Sequence, residues 1–232
     1  MSEDSKENAT LYSLNDLLDI LEENNKQYFE VTSKMLQAYG ASLYPLDLMG
    51  ISIAKRSLSL TRGFIEMIKQ ENFICAAPLL RLQLDNSLRF YAAFLVDKPH
   101  DLASRFAQGE SIRNFKERGT KQRLTDRLLV ERLAEHYPWI IEVYERTSGY
   151  IHLSDMHLFN AMGKQKENPK AGIVISEKDA FITEQDRSEA VYTMFRLSQI
   201  VLWLLNSWTL TKDTPDHQKW KKKHGDGKGY KK

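Results

Sequence analysis

The stretch FICAAPLLRLQLDNSLRFYAAFLV, residues 73–96, is apolar on nearly every helical face, and its Pro78 is tolerable because it falls near the start. A helix that is hydrophobic all round must be covered on all sides, so this segment predicts the central helix of an all-α bundle. Arg81, Asp85 and Arg89 recur every four residues along it, which lines them up on one side, able to pair in succession among leucines. A carboxylate between two arginines in such a setting is either a structural network or a support that orients a functional group from behind. Arg81 and Asp85 are assigned that supporting role.

Working outward, Ser13 caps a helix to about Tyr39, where Gly40 ends it. Pro45 opens a second helix towards Gln70, with Gly50 and Gly63 permitting close approach of a neighbour, and these two helices read as an antiparallel pair. From Pro99 to Tyr137 the pattern breaks into shorter helical pieces. Pro138 then starts a helix whose apolar stripe, Trp139, Ile140, Val143, Tyr144 and Ile151, carries Arg146 and His152 to its far end. Residues 163–169 read as a loop, 172–176 as a short strand, and 180–183 as its hairpin mate across a turn. Thr183 caps a closing helix, about Glu184 to Thr211, with a long apolar surface. The expected architecture is one all-α domain over 13–211, a bundle of about five to seven helices with a small β-hairpin before the last one. A disordered start, 1–12, and a basic flexible tail, 212–232, flank it.

Composition narrows the functional classes. A 42% hydrophobic and 28% charged chain of 232 residues is ordinary for a soluble globular protein, and no apolar run reaches bilayer-spanning length. The polar, acidic start lacks a secretory pattern, which makes the cytoplasm the default location. Cys75 stands alone, so neither an intrachain disulfide nor a cysteine-based zinc site can form. The tail holds eight lysines against three aspartates and could touch nucleic acid or an acidic partner, or merely solubilise the terminus. Residues 111–127 carry six cations, Arg113, Lys116, Arg118, Lys121, Arg123 and Arg127, against two carboxylates. Interrupted by Gly119 and preceded by Gly109, this is a mobile basic connection able to meet a phosphate backbone, or simply a solvated surface. Phe115 is its one stacking candidate.

No nucleotide-binding glycine loop, Gly-x-Ser-x-Gly elbow or His-Glu-x-x-His pair occurs. His152, Asp155 and His157 lie close in sequence, but their spacing matches no strong ligand pattern, so no metal or other cofactor is assigned. His100 and His136 read as caps or surface residues. Arg146 and His152 remain as the pair with matched chemistry. Arginine offers a planar fork of donors to a phosphate, and histidine exchanges a proton near neutrality. Residues six apart on an unbroken helix point about 120° from each other. Either the helix unwinds there, or a second subunit completes the site.

A helical chain whose late helix ends in Arg-Thr-Ser-Gly-Tyr-Ile-His, residues 146–152, resembles the HEPN superfamily, whose hallmark is Arg, four to six residues, then His. The Leu79-Leu80-Arg81 to Asp85 stretch is similar to that of bacterial abortive-infection-like relatives of the superfamily. The resemblance covers about Pro45 to Trp208. It implies a homodimeric, metal-independent RNA endonuclease in a bacterial defence or toxin setting, with Arg146 steadying the scissile phosphate and His152 assisting proton transfer at the ribose 2′-hydroxyl. Thr147 and Ser148 would hydrogen-bond the phosphate and Tyr150 would stack on or position it. Many such nucleases carry Asn, Asp or His directly after the arginine, where this chain has Thr147. The alternative is a non-catalytic helical module that binds protein or nucleic acid, with Arg146 and His152 serving structure.

Overall fold

Each long helix begins where its sequence supplies an acceptor for the orphan amides of the first turn. In the computed structural model, which describes residues 12–151, 154, 157, 175–212 and 222, Ser13 caps α1 (Leu14–Ala41). Its hydroxyl accepts from Asp16 N at 3.2 Å while the Asp16 carboxylate accepts from Ser13 N. Pro45 is the first residue of α2 (Pro45–Lys69), and Asp47 accepts from Tyr44 N at 2.8 Å. Asn72 caps α3 (Phe73–Tyr91), which tightens into a 3-10 turn at Ala92–Phe94. There follow α4 (Pro99–Ala107), a 3-10 turn at Ile112–Asn114, α5 (Asp126–Ala134), α6 (Ile140–Ser148) and α7 (Glu184–Thr211), the last capped by Thr183. Sequence expectations for residues 1–11, His152, Asp155, the loop at 163–169, residues 172–174 and the tail past Lys212, apart from Lys222, lie outside the described residues.

The helical expectation holds: the described residues form seven α-helices and no strand. α3 is central, packed by α2, α7, α6 and α5, while α1 lies chiefly along α7 and secondarily along α2. Regular geometry in α1 is lost at Ala38, after which Tyr39, Gly40 and Ala41 all take positive φ (57°, 66° and 56°). Of these only the glycine adopts that conformation without steric cost. Gly50 earns its place in α2, because a Cβ there would sit 3.1 Å from Leu205 and from the Met35 sulfur. Gly63 leaves ordinary contact distance, 3.7 Å to Leu79, and is not required by packing.

The hairpin is corrected. Residues 175–183 form turns and coil, and Ile175, within the expected strand, is 97% exposed. What holds this segment is Asp179, whose carboxylate accepts from the amides of Phe73 and, at 3.1 Å, Ile74. Its own amide donates to Glu71 O at 3.0 Å. The unsatisfied amides and positive end of α3 attract a carboxylate more strongly than a lone two-stranded ribbon would be stabilised.

Two polar systems run through the apolar core. One is a line of hydrogen bonds: Arg56 donates to Asn86 Oδ1 (2.5 Å), and Asn86 Nδ2 donates to Gln83 Oε1 (3.1 Å) and Ser57 Oγ (2.9 Å). Gln83 Nε2 then donates to Tyr28 Oη and Ser198 Oγ, both at 3.2 Å. The other is a fully buried ion pair. Lys212 Nζ stands 2.9 Å from Asp47 Oδ1, both side chains 0% exposed, and donates to Met35 O at 2.5 Å. Trp208 Nε1 donates to the same Asp47 oxygen at 2.7 Å. Lys212 therefore belongs to the core and not to the tail that the sequence suggested. His100, expected at a cap or the surface, is buried against the rings of Trp208 (5.2 Å) and Tyr44 (5.5 Å).

Two stability measurements follow. Lys212→Met strands the Asp47 carboxylate in the core and is expected to cost about 3–5 kcal/mol in urea unfolding, with Asp47→Asn added to it recovering a large part. Burial pushes the Tyr28 phenol up to about 12 from an ordinary 10.0. Stability is then intact below about pH 10 and falls as pH climbs from 10 towards 12, by about 2–3 kcal/mol, as the unfolded chain loses its proton first. Tyr28→Phe is expected to flatten that alkaline slope.

Candidate functional site at the end of the sixth helix

α6 buries Ile140, Val143 and Thr147 and turns Arg146 to solvent, as helical spacing requires of residues next to the buried stripe. The Arg146 guanidinium is half exposed and lies 3.6 Å from Glu142, one turn back and beyond hydrogen-bonding distance. Thr147 and Ser148 do not present free hydroxyls. Thr147 is buried and donates to Val143 O at 2.6 Å, and Ser148 donates to Tyr144 O at 2.6 Å. Thr147 is thus removed from the set of phosphate contacts suggested by the sequence, since its hydroxyl is committed inside the bundle. Tyr150 is partly buried, edge-on to Phe73 (5.9 Å) and His157 (6.1 Å). Burial pushes its phenol above the ordinary tyrosine range, with Arg146 opposing the shift. Its ring packs between neighbours instead of standing open for a base. His157 Nδ1 accepts from Ser154 N at 3.2 Å, and Ser154 Oγ donates to Gly149 O at 2.7 Å. Of the catalytic pair, Arg146 is placed and His152 lies outside the described residues.

Beside this helix end sits a charged cluster that the sequence showed only in part. Asp85 pairs with Arg89 (2.9 Å), as the spacing of four suggested, and also with Arg56 of α2 (3.1 Å). Arg81 reaches instead to Asp126, the first residue of α5, at 3.5 Å, and Arg89 meets the same carboxylate at 2.8 Å. Arg56 and Asp126 are the residues that sequence reasoning missed. No spacing links them to α3, because the pairing is made by tertiary packing. The Arg81 guanidinium also lies over the Tyr144 ring, 4.5 Å from its centroid. A cleft of about 380 Å³ opens between α3 and α6, lined among the described residues by Arg81, Leu82, Asp85, Tyr144, Ser148 and Ile151.

The basic segment is a folded loop. Glu117 N donates to Gln122 O (3.0 Å) and Leu124 N to Phe115 O (3.0 Å), with Gly119 turning it at φ 70°. Arg118 anchors it, donating to Val96 O at 2.6 Å and standing 3.3 Å from Asp97. Arg113, Lys116, Lys121 and Arg123 are exposed, with no ion-pair partner among the described residues. Phe115 is 9% exposed beneath Arg105, so it is a core residue and not a stacking platform.

Comparison with models of protein families, with curated proteins and with solved structures finds no match. Because Asp126 neutralises two arginines at once, Asp126→Asn is expected to cost about 1–2 kcal/mol in chemical unfolding, a figure reduced by partial solvent screening. Raising the salt concentration should narrow the difference from wild type.

Proposed function

We propose that the chain is a metal-independent RNA endonuclease of HEPN type, acting as a homodimer in a bacterial defence or toxin setting. The observation that carries this reading is Arg146, a half-exposed guanidinium at the end of α6 that meets Glu142 at 3.6 Å and makes no hydrogen bond to a described residue, which supports its use as a phosphate contact. The exposed cations Arg113, Lys116, Lys121 and Arg123 support it, since they could follow a nucleic-acid backbone without any base-specific contact.

In the proposed reaction, His152 removes the proton from the ribose 2′-hydroxyl and the freed oxygen attacks the adjacent phosphorus. The bond from phosphorus to the 5′ oxygen breaks, that oxygen takes up a proton, and the products are a 2′,3′-cyclic phosphate and a 5′-hydroxyl. Arg146 stabilises the charge that develops on the non-bridging oxygens. No ion is needed for the balance. The angular separation of positions 146 and 152 on a regular helix, about 120°, favours pairing across two subunits or unwinding after Ser148. The turn at Gly149 to Ile151 agrees with the latter.

A second reading, a non-catalytic module that binds nucleic acid through the same cations, is favoured by one observation. The Thr147 and Ser148 hydroxyls are both bonded to carbonyls of their own helix.

Purified wild-type protein in excess chelator is expected to cut RNA and leave cyclic phosphate ends. His152→Ala and Arg146→Ala should each lose about 10²–10⁴-fold in cleavage rate while retaining RNA binding. Binding without cleavage by all three proteins would establish the module instead.

A further inference from the structure

The corner where α2 passes into α3 carries a residue that its backbone does not favour. Glu71 takes φ 58° just past the end of α2, where Glu71 N donates to Ile68 O (3.0 Å) and Asn72 N to Met67 O (2.9 Å). In a helix ending with that pair of bonds, glycine is the ordinary occupant of the left-handed position. A glutamate brings a side chain that glycine lacks. Its carboxylate stands 3.2 Å from Lys178 Nζ and 3.9 Å from the Arg187 guanidinium, and the Glu71 carbonyl accepts from Asp179 N at 3.0 Å.

Residues 175–183 lie on this corner with little apolar burial. Ile175 and Phe181 are exposed, and only Ile182 of this segment packs on the core. The holding contacts are polar: Ser176 Oγ accepts from Lys178 N at 3.0 Å, and the Asp179 carboxylate takes the first two amides of α3, Phe73 N and Ile74 N. Contacts of this kind are released without exposing the core, so their opening is separable from global unfolding. Phe73 also joins the corner to the end of α6. Its amide is bound by Asp179, and its ring meets Tyr150, one turn beyond Arg146, edge-on at 5.9 Å. Asp179 and Asp186 oppose ionisation of the Tyr150 phenol while Arg146 favours it, which places the segment and the helix end within electrostatic reach of each other.

We infer that residues 175–183 are a latch on the α2–α3 corner, with Asp179 as its bolt and Glu71 as its seat. The latch opens as one unit in the folded protein and, when closed, steadies the end of α6 beside Arg146. Salt favours the open form, because the Lys178 and Glu71 side chains are 63% and 46% exposed and their attraction is screened. The inference goes beyond the nuclease reading and stands whether or not Arg146 meets a phosphate.

Amide hydrogen exchange of the full chain, read residue by residue by NMR with no ligand added, tests it. Phe73 and Asp179 lie 106 positions apart, yet the amides of Phe73, Ile74 and Asp179 should share one opening constant. That constant should be at least about tenfold above those of Leu84 and Leu88 inside α3. Asp179→Ala should raise exchange at Phe73 and Ile74 about tenfold, as loss of a capping carboxylate does, and Asp179→Asn should fall between. The Tyr150 and Ile151 amides, which donate to Thr147 O and Ser148 O, should exchange faster in Asp179→Ala as well.

Variants of Glu71 separate the latch from the fold. Glu71→Gly removes the unfavourable φ together with the ion pairs, so opening at Asp179 should rise about threefold while the thermal unfolding midpoint holds or rises. Glu71→Gln keeps the strained backbone and should match the glycine variant in opening. Raising salt to about 1 M should increase opening about threefold in wild type and leave Glu71→Gln nearly unchanged. Exchange of Phe73, Ile74 and Asp179 as slow as that of the α3 interior, or with unrelated opening constants, overturns the inference. So does Asp179→Ala leaving Tyr150 and Ile151 unchanged, or a midpoint that falls along with the latch in Glu71→Gly. Failure to cleave RNA would sink the nuclease reading and leave this one standing.

Discussion

The buried pairing of Asp47 with Lys212 is the constraint from which the arrangement of the long helices follows. Asp47 accepts from Tyr44 N at the start of α2 and from the Trp208 indole near the end of α7, and it meets the Lys212 ammonium just past that end. Lys212 in turn donates to Met35 O of α1. Leucine against leucine would hold α1, α2 and α7 together in several registers at similar energy. A buried carboxylate and ammonium with these partners is satisfied in one register only, and every slip leaves a bare charge in the core. With those helices fixed, α3 has a slot of defined shape, and the close contact at Gly50 with Leu205 and Met35 becomes possible.

How much of this was legible in the sequence depends on the range of each interaction. Helix starts were readable at Ser13, Pro45 and Thr183, because a cap is made by residues within three or four positions. The central place of residues 73–91 was readable from an apolar surface with no solvent face to spare. Lys212 was not, since it stands at the head of a lysine-rich run and its partner is far away in sequence. The hairpin misled for a related reason: Ile-Val-Ile and Phe-Ile have strand-like composition, but Asp179 between them is drawn to the open amides of α3.

The candidate site shows the same division. Positions four apart on α3 correctly predicted that Asp85 and Arg89 would pair. They could not show that Arg81 would turn to Asp126, because α5 enters from outside the helix. Arg146 facing solvent follows from the stripe of Ile140, Val143 and Thr147, whereas the internal bonds of Thr147 and Ser148 follow from helix geometry that a motif conceals.

The interior hydrogen-bond line and the charged cleft share Arg56, and this gives the site its physical character. Arg56 holds Asn86, whose amide is fixed by Gln83 and Ser57, and the same guanidinium nitrogen holds Asp85, whose other oxygen is taken by Arg89. Each group has its rotamer set by a neighbour rooted in the core, where reorganisation would break several bonds at once. Asp85 and Arg89 are therefore preorganised. Arg81, which lies over the Tyr144 ring and meets Asp126 only at 3.5 Å, is the least tightly bonded member of the cluster. A carboxylate frame fixed from the core, with one more loosely held guanidinium at the cleft wall, ties the geometry of this helix junction to the interior hydrogen bonds and not to the surface.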